Sequence, residues 1–280
     1  MRLHQSPPAG NKRALILSLV ATAILSLVPI SSHATVDWND SFEYANDTAL
    51  GAVWNFSCLG NPGVSTLRPF SGTKSLRLVY TGHVGLDPGA GGCFIDRYLP
   101  TKSTTLYSRF HIYLENFTVD SRVGTKMTLH GEACCYPSFW WEMLFGTTGL
   151  VLATQGIILD NGTQDTKNTV GGTIPQNQWA CIETRLTMSS PGVDNGIIQA
   201  WINGAQVMNV SNARMRAATL NQRNSPTAQF QFVRLYTQHG RGVLYYDDYA
   251  VSRDARIGCS GSAPASDTAP PAIPSGVLAR

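Results

Sequence analysis

The sequence predicts an all-β protein, a two-sheet antiparallel β-sandwich in a single domain, and three observations carry that expectation. Apolar and polar residues alternate with a period of two from Asp40 to Ser252, and no 3.6-residue stripe runs longer than three turns. Turn sequences punctuate the alternation at Gly89-Ala90-Gly91-Gly92, Asn161-Gly162, Gly171-Gly172, Asp194-Asn195-Gly196 and Asn203-Gly204. Charged residues are only 14% of the chain, a composition that suits strands joined by tight turns.

In chain order, strands are expected at Ser75–Tyr80, Leu106–Leu114, Thr125–His130, Phe139–Phe145, Ala180–Thr187, Ile197–Ile202, Gln229–Tyr236 and Leu244–Val251. Ile197–Ile202 and Ala205–Val210 flank Asn203-Gly204, a pair suited to the positive φ angles of a type I′ turn, and should form a hairpin. Ala213–Ser225 is polar and reads as a short helix or a long loop.

The two ends differ from this body. Residues 1–34 read as a secretory leader: Lys12 and Arg13 precede the apolar run Ala14–Ile30, and Ser31-Ser32-His33-Ala34 supplies a cleavage site. The folded domain is expected over 35–259, and 260–280 is an Ala, Pro and Ser-rich flexible tail. The chain has 21 basic and 18 acidic residues; the leader takes three basic residues and no acid, so the mature part is balanced at 18 of each. No basic tract argues for nucleic acid and no cationic amphipathic helix for a membrane surface. A secreted monomer, extracellular or periplasmic, is expected.

An exported chain meets an oxidising compartment, so Cys58, Cys93, Cys134, Cys135, Cys181 and Cys259 should form disulfides. Cys58 with Cys93 is the first expectation, and Cys134 and Cys135 should each pair elsewhere, with Cys181 or Cys259 as candidates.

Alternation also sorts each strand into two faces. Phe110, Ile112 and Leu114 should point inward, which leaves Tyr107, Arg109, His111 and Tyr113 together. Met127 and Leu129 should point inward and Lys126, Thr128 and His130 outward; Trp140 and Glu142 share an outer face, as do Glu183 and Arg185. Three strands consecutive in sequence would then present Arg, His, Tyr, Lys, Trp and Glu to one groove. Aromatic rings stack on the C–H faces of sugars and planar polar groups bind their hydroxyls, so polysaccharide is the expected partner.

Several segments resemble polysaccharide lyases of the jelly-roll type that act on alginate or glucuronan. These are Leu106–Lys126 with the following Met-Thr-Leu-His-Gly, Trp179-Ala-Cys-Ile-Glu-Thr-Arg-Leu, Pro191-Gly-Val-Asp-Asn-Gly, Ala200-Trp-Ile-Asn-Gly, and Leu244-Tyr-Tyr-Asp-Asp-Tyr-Ala-Val-Ser with Ile257-Gly258. The resemblance runs from about Asp40 to Cys259 and implies a concanavalin A-like jelly roll. It further implies β-elimination on a uronate-containing glycan. Arg109 or Lys126 would neutralise the carboxylate, His130 or His111 would take the C5 proton, and Tyr113 or Tyr246 would carry a proton. Lys126 and Tyr246 match the family's strand lysine and strand tyrosine by position, and Trp140, Glu142, Glu183 and Arg185 would bind the chain. The sequence lacks the family's Arg-x-Glu-x-Arg and Gln-x-His strands, and Leu129 stands in the middle of the nearest equivalent.

Three alternatives remain: a non-catalytic, lectin-like jelly roll, a surface or matrix module that binds protein through the same sheet, and a glycoside hydrolase using Glu142 with Glu183. No cofactor is expected for catalysis. Jelly-roll sugar-binding domains often tie their first and last strands through calcium, and Asp40-Ser-Phe-Glu43, the loop Ser71-Gly-Thr-Lys74 and Asp247-Asp248 resemble that arrangement, with Glu43 and Asp248 as the expected ligands.

Overall fold

The computed structural model describes residues 34–57, 62–80, 93–119, 125–131, 140–145, 152–155, 157–158, 164–165, 171–220, 224–238 and 240–259. The leader, the tail after Cys259, the glycine turn at 89–92, Asn161-Gly162, and Cys58, Cys134 and Cys135 lie outside the described residues, as do the side chains of Cys93, Lys126, Leu129, Trp140 and Glu142.

The chain opens with β1 (Trp38–Asp40), the single-turn helix α1 (Asp47–Gly51), β2 (Asn55–Ser57), β3 (Gly63–Ser65) and β4 (Ser75–Tyr80). Asn46 starts α1 by accepting the Ala49 N–H at 3.0 Å, and the turn buries Leu50. Then come β5 (Cys93–Ser103), β6 (Thr105–Val119), β7 (Thr125–Gly131), β8 (Trp140–Phe145), β9 (Leu152–Gln155), β10 (Ile157–Ile158) and β11 (Gln164–Asp165). The last strands are β12 (Trp179–Thr187), β13 (Gly196–Ile202), β14 (Ala205–Ala213), β15 (Phe230–Gln238) and β16 (Gly240–Ser252).

Two antiparallel sheets stack on each other. The larger runs β14-β13-β12-β6-β16-β4-β3, with β1 also paired to β16; the smaller runs β2-β5-β15-β7-β8-β9. Strands adjacent in sequence therefore belong to different sheets at β5/β6, β6/β7 and β15/β16, the sheet-to-sheet crossings of a jelly roll. All eight expected strands are present within one or a few residues of their bounds. Asn203 (φ 50°) and Gly204 (φ 84°) both take positive φ, as the hairpin turn requires. The strand β5 was not anticipated, because Asp96, Arg97, Pro100 and Lys102 break up its apolar pattern. Between β14 and β15 the described residues are irregular, and Ser189 Oγ holds them by accepting from Met215 N and Arg216 N at 3.0 Å each.

The core fills the gap between the sheets. Phe110, Ile112 and Leu114 of β6 and Leu76 and Leu78 of β4 meet Ile95 of β5, Met127 of β7, and Val233 and Leu235 of β15. Each side chain buried this way contributes about 1.5–3 kcal/mol relative to exposure. Phe110 is wholly buried and stacked on Tyr249 with centroids 5.9 Å apart, so Phe110→Ala would cost about 3–5 kcal/mol.

Candidate functional site

The two sheets separate the residues expected to share a groove. Arg109, His111 and Tyr113 on β6 and Glu183 and Arg185 on β12 belong to the larger sheet, whereas Lys126 and His130 on β7 and Trp140 and Glu142 on β8 belong to the smaller one. The hydrolase pair fails for the same reason: Glu142 and Glu183 stand in different sheets, and stacked sheets lie roughly 10 Å apart.

His130 and Tyr246 are not in a groove. His130 is fully buried and its Nε2 lies 3.0 Å from the Tyr249 hydroxyl, a group of the core contributed by the opposite sheet. The cause is a bulge in β7, where pairing slips between Lys126 and Thr128. It brings Met127 and His130 to buried positions three residues apart, which strict alternation forbids. Burial lowers the His130 pKa to about 3, so the ring is neutral at ordinary pH. Tyr246 crosses the core the other way and donates to the Met127 carbonyl at 2.9 Å. Burial raises its pKa well above that of a free phenol. Both residues brace one sheet against the other.

The outer face of the larger sheet is partly covered. Register places Cys181 opposite His111, Glu183 opposite Arg109 and Arg185 opposite Tyr107. After β16 the segment Arg253–Cys259 crosses this face and is fixed by the Cys181–Cys259 disulfide. That bond excludes either cysteine as a partner for Cys134 or Cys135. Glu183 accepts from Arg256 through Nε (3.0 Å) and Nη2, and from Gly258 N at 2.6 Å. Arg109 reaches the Gly258 carbonyl at 3.5 Å and faces Asp248 and Glu183; burial lowers its pKa while those acids oppose the shift. It is a buried structural cation rather than a reader of substrate carboxylates. Cys181, Glu183 and Cys259 cluster closely, but the two sulfurs are bonded to each other and offer no thiolate to a metal.

From the other side, Phe70 lies flat on His111 with centroids 3.6 Å apart, and Asp247 accepts from Phe70 N (2.8 Å) and Ser71 N (3.1 Å). Burial and the charge of Arg109 lower the His111 pKa to about 3. Burial, with Asp248 beside it, raises Asp247 to about 8. A cleft of about 560 Å³ remains, lined by Phe70, His111, Trp179, Asn203, Arg256 and Gly258 among others. Tyr113 packs edge-on against Trp179 and Tyr245, with Arg68 5.3 Å from its ring centroid. Arg185 stands over Tyr107 and donates to Gln199 at 3.3 Å.

On the smaller sheet, one row of register partners runs Asn55–Asp96–Arg234–Leu129–Glu142–Gln155, from β2 through β9. In-register residues share a face, here Asn55, Asp96 and Arg234. Arg234 and Asp96 form a bidentate pair, Nε–Oδ1 2.5 Å and Nη2–Oδ2 2.7 Å, and the guanidinium carbon lies 3.8 Å from the Phe94 ring centroid. The same carbon is 5.8 Å from Phe232, which is packed edge-on against the half-exposed Tyr98. Burial raises the Asp96 pKa and Arg234 opposes that shift. Backbone register pairs Lys126 of β7 with Gln238 of β15. Arg234 was missed in the sequence, where only the alternation Phe232-Val-Arg234-Leu marks it as outward-facing.

The calcium candidates occupy the joint between the first and last strands. Glu43 accepts from Thr73 N, Thr73 Oγ1 and Lys74 N at 2.7–2.8 Å, and Asp248 accepts from Ser71 Oγ at 2.8 Å. Asp248 sits at φ 47°; burial raises its pKa, and the Glu43 charge adds to that rise. Gly72 (φ 57°) is needed here, since a Cβ would lie 2.3 Å from Glu43 Oε1. Two mutually repelling carboxylates beside a hydroxyl loop form an all-oxygen donor set that fits a hard divalent cation. Asp40 plays no part in it, because it turns inward to Tyr44, Trp54 Nε1 and Phe42 N.

No protein-family model and no curated protein matches the sequence. Solved structures match in shape. The endo-β-1,4-glucuronan lyase from the fungus Trichoderma reesei is 14% identical with a TM-score of 0.54, over 78% of this chain and 95% of that one. The PL-14 alginate lyase from Aplysia kurodai is 15% identical with a TM-score of 0.55, over 79% and 100%. The cellulose-induced protein Cip1 is 16% identical with a TM-score of 0.53, over 79% and 99%. At these identities the likeness establishes the jelly-roll fold.

Proposed function

We propose that this protein is a secreted polysaccharide lyase that cleaves a uronate-containing glycan by β-elimination on the outer face of the smaller sheet. The observation that carries this reading is Arg234: a guanidinium fixed by Asp96 and Phe94 at the centre of that face, one strand away from Lys126. Elimination passes through an intermediate with extra negative charge on the uronate carboxylate, and a pre-positioned cation stabilises it without reorganising. Lys126 would supply the second positive charge, and Tyr98, which is exposed on the same face, is the phenol placed to carry a proton. The lyase names among the structures of similar fold support the same substrate class.

A second reading, glycan binding without cleavage, is favoured by the sealing of His130 and Tyr246 inside the core. Absorbance near 235 nm separates the two. A rise on a glucuronan or alginate-type polymer, lost in Arg234→Ala and Lys126→Ala with the fold intact, supports elimination. A flat trace with retention on the same polymer leaves a binding protein. Glu43 and Asp248 would hold a structural calcium ion that pins β16 to the loop at Ser71, away from the chemistry.

A further inference from the structure

The cleft on the outer face of the larger sheet lies on the opposite side of the sandwich from Arg234. At about 560 Å³ it falls in the usual range of small-ligand sites. One wall is Phe70, 41% exposed yet held in place. One ring face rests on His111, its backbone N–H is bound by Asp247, and Trp179 stands edge-on 5.6 Å away. A flat aromatic surface with one open side suits the C–H face of a pyranose. Beneath it His111, only 4% exposed, backs the ring. Asn203 and Arg256 line the same cleft and bring an amide and a guanidinium to it. At the rim Arg256 stacks on Trp201 at 4.5 Å and pairs with Glu183.

The charges around the cleft decide the class of ligand. Arg109 and Arg256 are matched by Glu183 and Asp248, and neutral His111 adds nothing. Among the described residues no surplus cation lines the cleft. We propose that this cleft is a second glycan site, which binds a neutral pyranose unit stacked on the open face of Phe70, beside Trp179, with its hydroxyls toward Asn203 and Arg256. The inference does not depend on the lyase reading, because none of these residues touches the face that carries Arg234.

Calorimetric titration of the mature protein with neutral hexasaccharides of the gluco, manno and xylo series, and with a uronate hexasaccharide, tests it. At least one neutral series should bind with one site per chain. Trp179→Ala and Phe70→Leu should each weaken that binding at least tenfold, with the circular dichroism and melting temperature of the native protein and undiminished behaviour on uronate polymer. Three results would overturn the proposal: no neutral sugar binding, neutral binding that ignores both substitutions, or preference for the uronate hexasaccharide at this cleft.

Discussion

The two outer faces of the sandwich are built on the same strand geometry but are used differently. On the larger sheet the charged residues are inward-looking in their bonding: Glu183, Arg109 and Arg256 satisfy one another and the Arg253–Cys259 segment. On the smaller sheet Arg234 and Asp96 form one pair among aromatic rings, beside a half-exposed tyrosine. Charged side chains at strand register positions thus have two fates, depending on what crosses over them. On the larger sheet the Arg253–Cys259 segment lies across them; on the smaller sheet Arg234, 9% exposed, is held by Asp96 and Phe94.

The contrast can be broken by substitution. Arg234→Ala should have the largest effect, at least a hundredfold loss of elimination rate on the uronate polymer at 235 nm, while Arg185→Ala on the other face leaves the rate within twofold. Glu183→Ala should instead act on stability. It leaves Arg109 buried with one fewer counter-charge, and a loss of about 3 kcal/mol in urea unfolding is expected, the low end for a broken buried pair because Arg256 can turn to solvent. Cys259→Ser opens a cross-link spanning 78 residues and should cost about 2–4 kcal/mol, read from the same denaturation curves.

Smaller effects concern pH and metal. His111 and His130 have folded pKa values near 3, below the 6.5 of a free histidine, so the stability they give is complete above about pH 6.5 and is lost as pH falls toward 3. His130→Gln should flatten that acid limb of the melting temperature. Asp247 works in the opposite sense: its folded value is raised to about 8, so its contribution is present below about pH 4 and is lost as pH rises to 8. Asp247→Asn should flatten the decline between pH 6.5 and 8. Calcium should raise the melting temperature by a few degrees, and Asp248→Asn should abolish the rise; an unchanged melting temperature on calcium addition would count against the site.

Much of this fold is legible in alternation alone. Phe110, Ile112 and Leu114 point inward and Arg109, His111 and Tyr113 outward, as the sequence pattern of β6 requires. Pairing between sheets is not legible there, because local periodicity carries no information about which strands become neighbours. The grouping of β6 with β7 and β8 therefore fails although each was located as a strand. The bulge in β7 is equally hidden: against β8, one extra residue between Lys126 and Thr128 reverses the parity and sends His130 inward. Arg234 escaped notice because an outward arginine on a strand is unremarkable until Asp96 and Phe94 are brought against it from a distant part of the chain.

The bond between Cys181 and Cys259 also has a mechanical consequence. β16 ends at Ser252, seven residues before Cys259, and lies inside the larger sheet between β6 and β4. Tension applied to the chain beyond Cys259 passes through the sulfur bridge into β12 and bypasses β16. The strand that carries the Tyr246 and Tyr249 braces is thereby spared from being peeled away when the protein is pulled by that end.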